Sequence, residues 1–401
     1  MKPPRPLGMS ARRTAIIGGL MVTTGPLSLT LYGPALPSIV ADLGTTDAGG
    51  KLTMTVYFAA FAISQLLCGP LSDRFGRRWV GVVFFAVYVL GSLVCALAPT
   101  LEMLLLGRLL QGLGVSAGVA LSRAMVRDQF VGMDAIRILT MVNLILTVAP
   151  AMAPTLGSVI LVLGSWHLMF VIMAGFGLAV IALLGLGARE TLPAKARVPL
   201  HPGQVLANYG RLLAAPAFLM PALVLALSFG GFYGFAALLP FILIDQIGLT
   251  PFQFAMALLI QTASFITGNI IAGRLARRLD GPALILTGLG FLALGGAGFA
   301  IAPRLYPDAV LATMVPVSLW MLALAAVGPS ATASAMARYG HIAGAAGALT
   351  GFFQMGGGFV ASVLAIALFP DARTAMVNVL PALAILTVIV ALWHRRLYPG
   401  Q

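Results

Sequence analysis

Apolar residues in this chain run for about 20 positions at a stretch, many times over, with few charges inside the runs. Wound as a helix, a run of that length crosses the hydrocarbon core of a bilayer, about 30 Å thick. Hydropathy separates twelve such spans between residues 14 and 394, among them 14–36, 51–71, 102–123 and 137–162. Composition agrees: 60% of the 401 residues are hydrophobic and 9% are charged, whereas a soluble domain carries about 25% charged residues. The chain reads as an all-α integral membrane protein. Soluble enzyme, disulfide scaffold and disordered tail are excluded.

The net charge of +13 would point to nucleic acid in a soluble chain. Here the bases sit between spans. With the N-terminus in the cytoplasm, the 24 Lys and Arg all fall on the cytoplasmic side except Lys51, Arg304, Arg373 and the intramembrane Arg108. That is the positive-inside pattern, so the charge is a topology signal and both termini are expected in the cytoplasm. The expected partners are the lipid bilayer and a small-molecule substrate, with no nucleic acid. Cys68 and Cys95 lie inside apolar runs, and no ligand-type spacing calls for a metal or another cofactor.

Connections between spans are mostly short. The exception, 189–211, divides the chain into a six-span half at 1–188, a cytoplasmic loop and a second six-span half at 212–401. The halves echo one another weakly: GPLSDRFGRR (69–78) follows span 2 and AGRLARRLDG (272–281) follows span 8. Aligning Gly69 with Gly273 pairs Leu71 with Leu275 and Arg74 with Arg278. Twelve transmembrane helices in two pseudo-symmetric six-helix halves are the arrangement of secondary transporters. No phosphate-binding loop is present to power transport directly.

Two motifs carry chemistry. In 69–78, Gly69 is small enough for a close helix approach, and Asp73 can accept hydrogen bonds from a facing helix N-terminus or an arginine as a charge-assisted latch. In GRLLQGLGVSAG (107–118), Arg108 sits about six residues inside span 4, where a permanent charge is costly and marks a functional position by default. Gln111 lies about one turn along. Gly114 and Gly118 read as a helix-packing face.

The loop 69–78 closely resembles the loop signature of the major facilitator superfamily, and Arg108, Gln111 and Gly112 match the Arg-x-x-Gln-Gly of its fourth helix. Val126-Arg127-Asp128, YGPALP (32–37), APAMAPTLG (149–157) and AGAAGALTGFFQMGGG (343–358) resemble the bicyclomycin and chloramphenicol resistance branch of drug exporters. The resemblance covers nearly the whole chain. It implies a monomeric antiporter of the bacterial inner membrane, not an enzyme, that exports amphenicol- or bicyclomycin-like drugs by rocking two halves about a central site. It also implies a gate of Gly69, Asp73, Arg74, Gly76, Arg77, Arg78, Arg127 and Asp128.

One departure bears on coupling. The branch often carries Thr-Asp-x-Tyr-x-Pro in its first helix; aligned on Tyr32 and Pro34, this chain has Leu29-Thr30. All 11 acids fall in loops or at span ends, so the usual alternately protonated buried carboxylate is missing. Proton linkage is therefore in question, and uptake or facilitated diffusion of a metabolite is the rival expectation. Arg108 has no counter-charge, which favours anionic or neutral substrates. Polar and aromatic residues on the helices that line the path in this superfamily complete the expected binding set: Thr30, Tyr32, Tyr57, Gln65, Arg108, Gln111, Asn143, Phe229, Tyr233, Gln261, Asn269, Phe353 and Gln354.

Overall fold

The computed structural model describes residues 8–398 apart from 198, 200, 277 and 280; some further side chains, Asn143 among them, also lie outside the described residues. The first half holds α1 (Ala11–Thr30), α2 (Leu36–Asp42), α3 (Asp47–Phe75), α4 (Arg77–Ala96), α5 (Leu101–Gln129), α6 (Gly132–Leu163) and α7 (His167–Ala182). A short α8 (Pro202–Leu213) connects to α9 (Pro216–Pro240), α10 (Pro251–Leu275), α11 (Gly281–Leu305), α12 (Val310–Met336), α13 (Ala343–Leu368) and α14 (Ala372–Leu397). Among the described residues, eleven helices are long and apolar enough to cross a bilayer. The remaining predicted span lies in α6, whose described apolar part is Ala153–Leu163. The fold is all-helical.

Local chemistry sets the helix starts. Ser10, Thr46, Thr100 and Asp371 each place a side-chain oxygen on a first-turn N–H, and Thr250 with Gln253 forms a capping box. The first predicted span, 14–36, is not one helix. It stops at Thr30, passes through a 3₁₀ turn at Gly33–Ala35 and resumes as α2, because Pro34 and Pro37 supply no backbone N–H to continue the ladder.

Helix pairing repeats between the halves. The pairs α4/α5, α3/α5, α1/α6 and α4/α7 recur as α11/α12, α10/α12, α9/α13 and α11/α14. The two largest contacts between the halves, α3 on α13 and α6 on α10, exchange under the same correspondence. A weak sequence echo thus becomes a clear structural one.

The start of α1, the α3–α4 turn with Arg77, the first turn of α13 and the end of α14 lie at one end of the bundle, the basic face. At the opposite face the halves touch directly. Thr55 Oγ1 donates to Ser362 Oγ at 2.8 Å, and Ser158 Oγ donates to the Pro251 carbonyl at 2.6 Å. The buried Lys51 ammonium lies 5.3 Å from the Phe241 ring centre.

The stretch 189–211 was expected to be loop but contains most of α8, whose Tyr209 and Leu212 are buried. Tyr209 donates its hydroxyl to the Leu66 carbonyl at 2.8 Å. That carbonyl would ordinarily bond the N–H four residues on, but residue 70 is proline, which has none. Burial, and then the nearby Asp73 carboxylate, push the Tyr209 hydroxyl up to about 12, so it stays a donor at neutral pH.

Candidate functional site

Arg108 sits in α5 with no exposed surface, as does Gln111. Gly112 brings α3 against α5: a Cβ there would lie 2.5 Å from the Tyr57 carbonyl oxygen. Gly118, the end of the expected packing face, is pressed in the same way against the Met21 carbonyl. The close approach lays Tyr57 over the guanidinium at 4.2 Å, and Tyr32 covers it at 4.7 Å. Cation–π contacts of this kind are worth about 2 kcal/mol each when desolvated.

The remaining contacts are polar but uncharged. Arg108 donates to Gln111 Oε1 at 2.8 Å, to the Ser28 carbonyl at 3.5 Å and to Met54 Sδ at 3.8 Å. Gln111 in turn donates to Ser92 Oγ at 2.7 Å, while Ser28 and Tyr88 share a 2.7 Å hydroxyl contact. Arg108 Nε has no partner. Among the described residues no carboxylate pairs with Arg108. A cation buried without a counter-ion costs several kcal/mol. Two aromatic faces and an amide oxygen offset part of that cost.

The second cluster lies at the basic face. Arg77 is 4% exposed and is gripped by Asp73 at 2.5 Å, Asp128 at 3.0 Å and Ser72 Oγ at 2.6 Å. Asp73 lies beside the first turn of α13, its Oδ2 3.9 Å from where a Cβ on Gly344 would be. A helix N-terminus favours such an anion. Arg78 donates to the Leu184 carbonyl at 3.0 Å and to the Gly185 carbonyl. Arg74 and Arg127 are exposed and make no ion pair among the described residues.

One residue here escaped sequence reasoning. The N-terminus of α4 has no side-chain cap of its own, and Glu190, 113 positions on, supplies one. Its carboxylate accepts from Arg77 N at 2.9 Å and Arg78 N at 3.2 Å. The only signal was an uncapped Gly-Arg-Arg start, and nothing in the spacing said which acid would reach it. Gly76 makes the approach possible, with φ +96° and its missing Cβ lying where the Glu190 carboxylate sits. Gly76→Ala therefore combines a positive-φ extended backbone that is essentially reserved for glycine, costing roughly 1–3 kcal/mol, with a clash. A fall in apparent Tm well beyond that of Gly69→Ala checks it by thermal unfolding. No neighbour comes within 4 Å of a Cβ on Gly69, so the close approach expected there falls on Gly76 instead.

Other expected binding residues are more dispersed. Gln65 is buried at the seam between halves, 3.0 Å from a Cβ on Gly351. Tyr233 packs across the same seam, its ring 4.9 Å from Phe58 and 6.2 Å from Phe229. Thr30, half-buried, is spent on the Pro26 carbonyl at 2.8 Å. Gln261, Phe353 and Gln354 are half-buried; Asn269 is exposed and bonded within its own helix. The Asn143 side chain lies outside the described residues. Arg108, Gln111, Tyr32 and Tyr57 thus form one cluster inside the first half, while Gln65 and Tyr233 line the seam.

Two repeated helical halves, a polar network buried in the membrane and a charged cluster where the halves meet define a membrane transporter. The chain belongs to the Major Facilitator Superfamily, whose sequence pattern matches residues 19–365. It is 30% identical over 361 residues to the uncharacterized MFS-type transporter YdgK of Bacillus subtilis (strain 168), covering 90% of each chain. It is 29% identical over 372 residues to a chloramphenicol resistance protein of Pseudomonas aeruginosa, covering 91% of this chain and 86% of that one. The E. coli xylose transporter XylE, in a partially occluded inward-open conformation, shares the fold at TM-score 0.76 and 12% identity, over 97% of this chain and 98% of its own.

Proposed function

We propose that this transporter exports small organic compounds, amphenicol- or bicyclomycin-like antibiotics among them, by alternating access in a bacterial inner membrane. The observation that carries the reading is the 29% identity, over most of both chains, to a protein named for chloramphenicol resistance. In this reading the basic face is cytoplasmic, by the positive-inside rule. Asp73, held by Arg77, docks on α13 to close that side. When it leaves α13, the opposite-face contacts Thr55–Ser362 and Ser158–Pro251 hold the other side shut. Arg108 places a positive charge inside the membrane and so selects anionic or neutral substrates over cations. The protein works as a monomer.

A second reading is uptake or facilitated diffusion of an anionic or neutral metabolite. It is favoured by one observation: among the described residues the acids stand at helix ends or in loops, not in the middle turns of a spanning helix. Proton antiport would then have to use carboxylates at the helix ends.

Growth of an efflux-deficient bacterium expressing the chain against a drug panel separates the two. Protection by the wild type, lost in Asp73→Ala and Arg108→Ala strains at equal expression, is the expected result. Absence of protection against every compound would favour the metabolite reading. Counterflow in vesicles with and without an imposed pH step then distinguishes uniport from antiport.

A further inference from the structure

At the basic face, α9, α11, α12 and α14 leave a cavity of about 30 Å³ between their ends, more room than one water needs. Val224, Ile285 and Leu289 are among its apolar walls, and Ser334, His394 and Arg395 are its polar lining. His394 is 8% exposed, yet its Nε2 has no hydrogen-bond partner. Buried polar atoms are nearly always satisfied, so a bare imidazole nitrogen on a cavity calls for an occupant. Arg395 and Arg396 are exposed beside it and make no ion pair among the described residues. The same turns of α14 expose Leu392, Trp393 and Leu397. A tryptophan beside a basic run is the pattern of a helix end at headgroup depth.

We propose that this cavity binds the phosphate of an anionic phospholipid. With its proton on Nε2, His394 donates to one phosphate oxygen, while Arg395 and Arg396 balance the charge. The acyl chains lie along Leu392, Trp393 and Leu397. Basic pockets between membrane helices take headgroups in this way. A soluble anion would satisfy the imidazole but gain nothing from the apolar surface around it. The site is separate from Arg108 and from the seam between the halves, so it does not depend on which substrate is carried.

Native mass spectrometry of the delipidated full-length chain, titrated with phosphatidylglycerol, phosphatidylcholine or inorganic phosphate, tests it. The wild type is expected to retain phosphatidylglycerol at least tenfold better than phosphatidylcholine, and millimolar phosphate should not displace it. His394→Leu and Arg395→Gln should each weaken that retention about tenfold, while Arg395→Lys should largely keep it. Equal retention of both lipids by the wild type would overturn the proposal, and that comparison does not depend on any variant folding. Displacement by phosphate alone, or undiminished retention in both weakening variants, would overturn it as well.

Discussion

Arg108→Met is expected to cut transport more than tenfold while changing the protein's stability little. The guanidinium is fully buried, bonded only to uncharged groups, with Nε bare and no carboxylate nearby among the described residues. Removing the buried cation relieves a desolvation cost of several kcal/mol. Against that relief stand two lost ring contacts of about 2 kcal/mol each and a Gln111 amide oxygen left without its donor, about 1–3 kcal/mol more. The terms nearly cancel, so the apparent Tm should stay within about 5 °C of wild type, with substrate flux in vesicles down by more than tenfold. Arg108→Lys separates charge from shape. An ammonium cannot face both Tyr32 and Tyr57 and keep its bond to Gln111, so its flux should also fall. A methionine variant that transports normally would remove Arg108 from the mechanism, and one that unfolds early would make it a strut.

Arg77→Ala should be the most destabilising of the loop substitutions. It strands Asp73 and Asp128 against each other, and the Asp128 side chain is 11% exposed. Breaking a buried pair in this way costs about 3–5 kcal/mol. Arg74→Ala and Arg127→Ala remove exposed charges and should stay within about 0.5 kcal/mol of wild type. Apparent melting temperatures of the purified variants, run side by side, give the ranking. Equal losses for Arg74 and Arg77 would show that the cluster acts as a general positive field rather than as a bonded unit. Arg77→Ala protein that survives purification should also be slow in transport, since Asp73 then has nothing to hold it against α13.

Much of this was legible in the chain before folding. The spans follow from hydropathy, because an apolar run of that length can cross a bilayer as a helix that satisfies its own backbone. The Arg108–Gln111 bond follows from a three-residue spacing on one helix. The Asp73–Arg77 pair follows from a four-residue spacing within the loop motif. The binding set was less legible, since helices facing lipid and helices facing a cavity are apolar alike. Asn269 and Tyr233 looked equally suited, yet one is exposed and bonded to its own helix, while the other is buried between the halves.

Local order in the chain decided the membrane class, the apolar spans and the charge inside a spanning helix, since hydropathy and helical periodicity act over a few turns. Folding alone decided what surrounds that charge and which groups meet across the halves. Tyr57 reaches Arg108 because Gly112 lets α3 close on α5, Glu190 caps a helix 113 positions before it, and Tyr209 finds the carbonyl that Pro70 leaves free. Each of these partners is distant in sequence, and unmatched polar groups inside a low-dielectric core are costly enough that three-dimensional packing selects them.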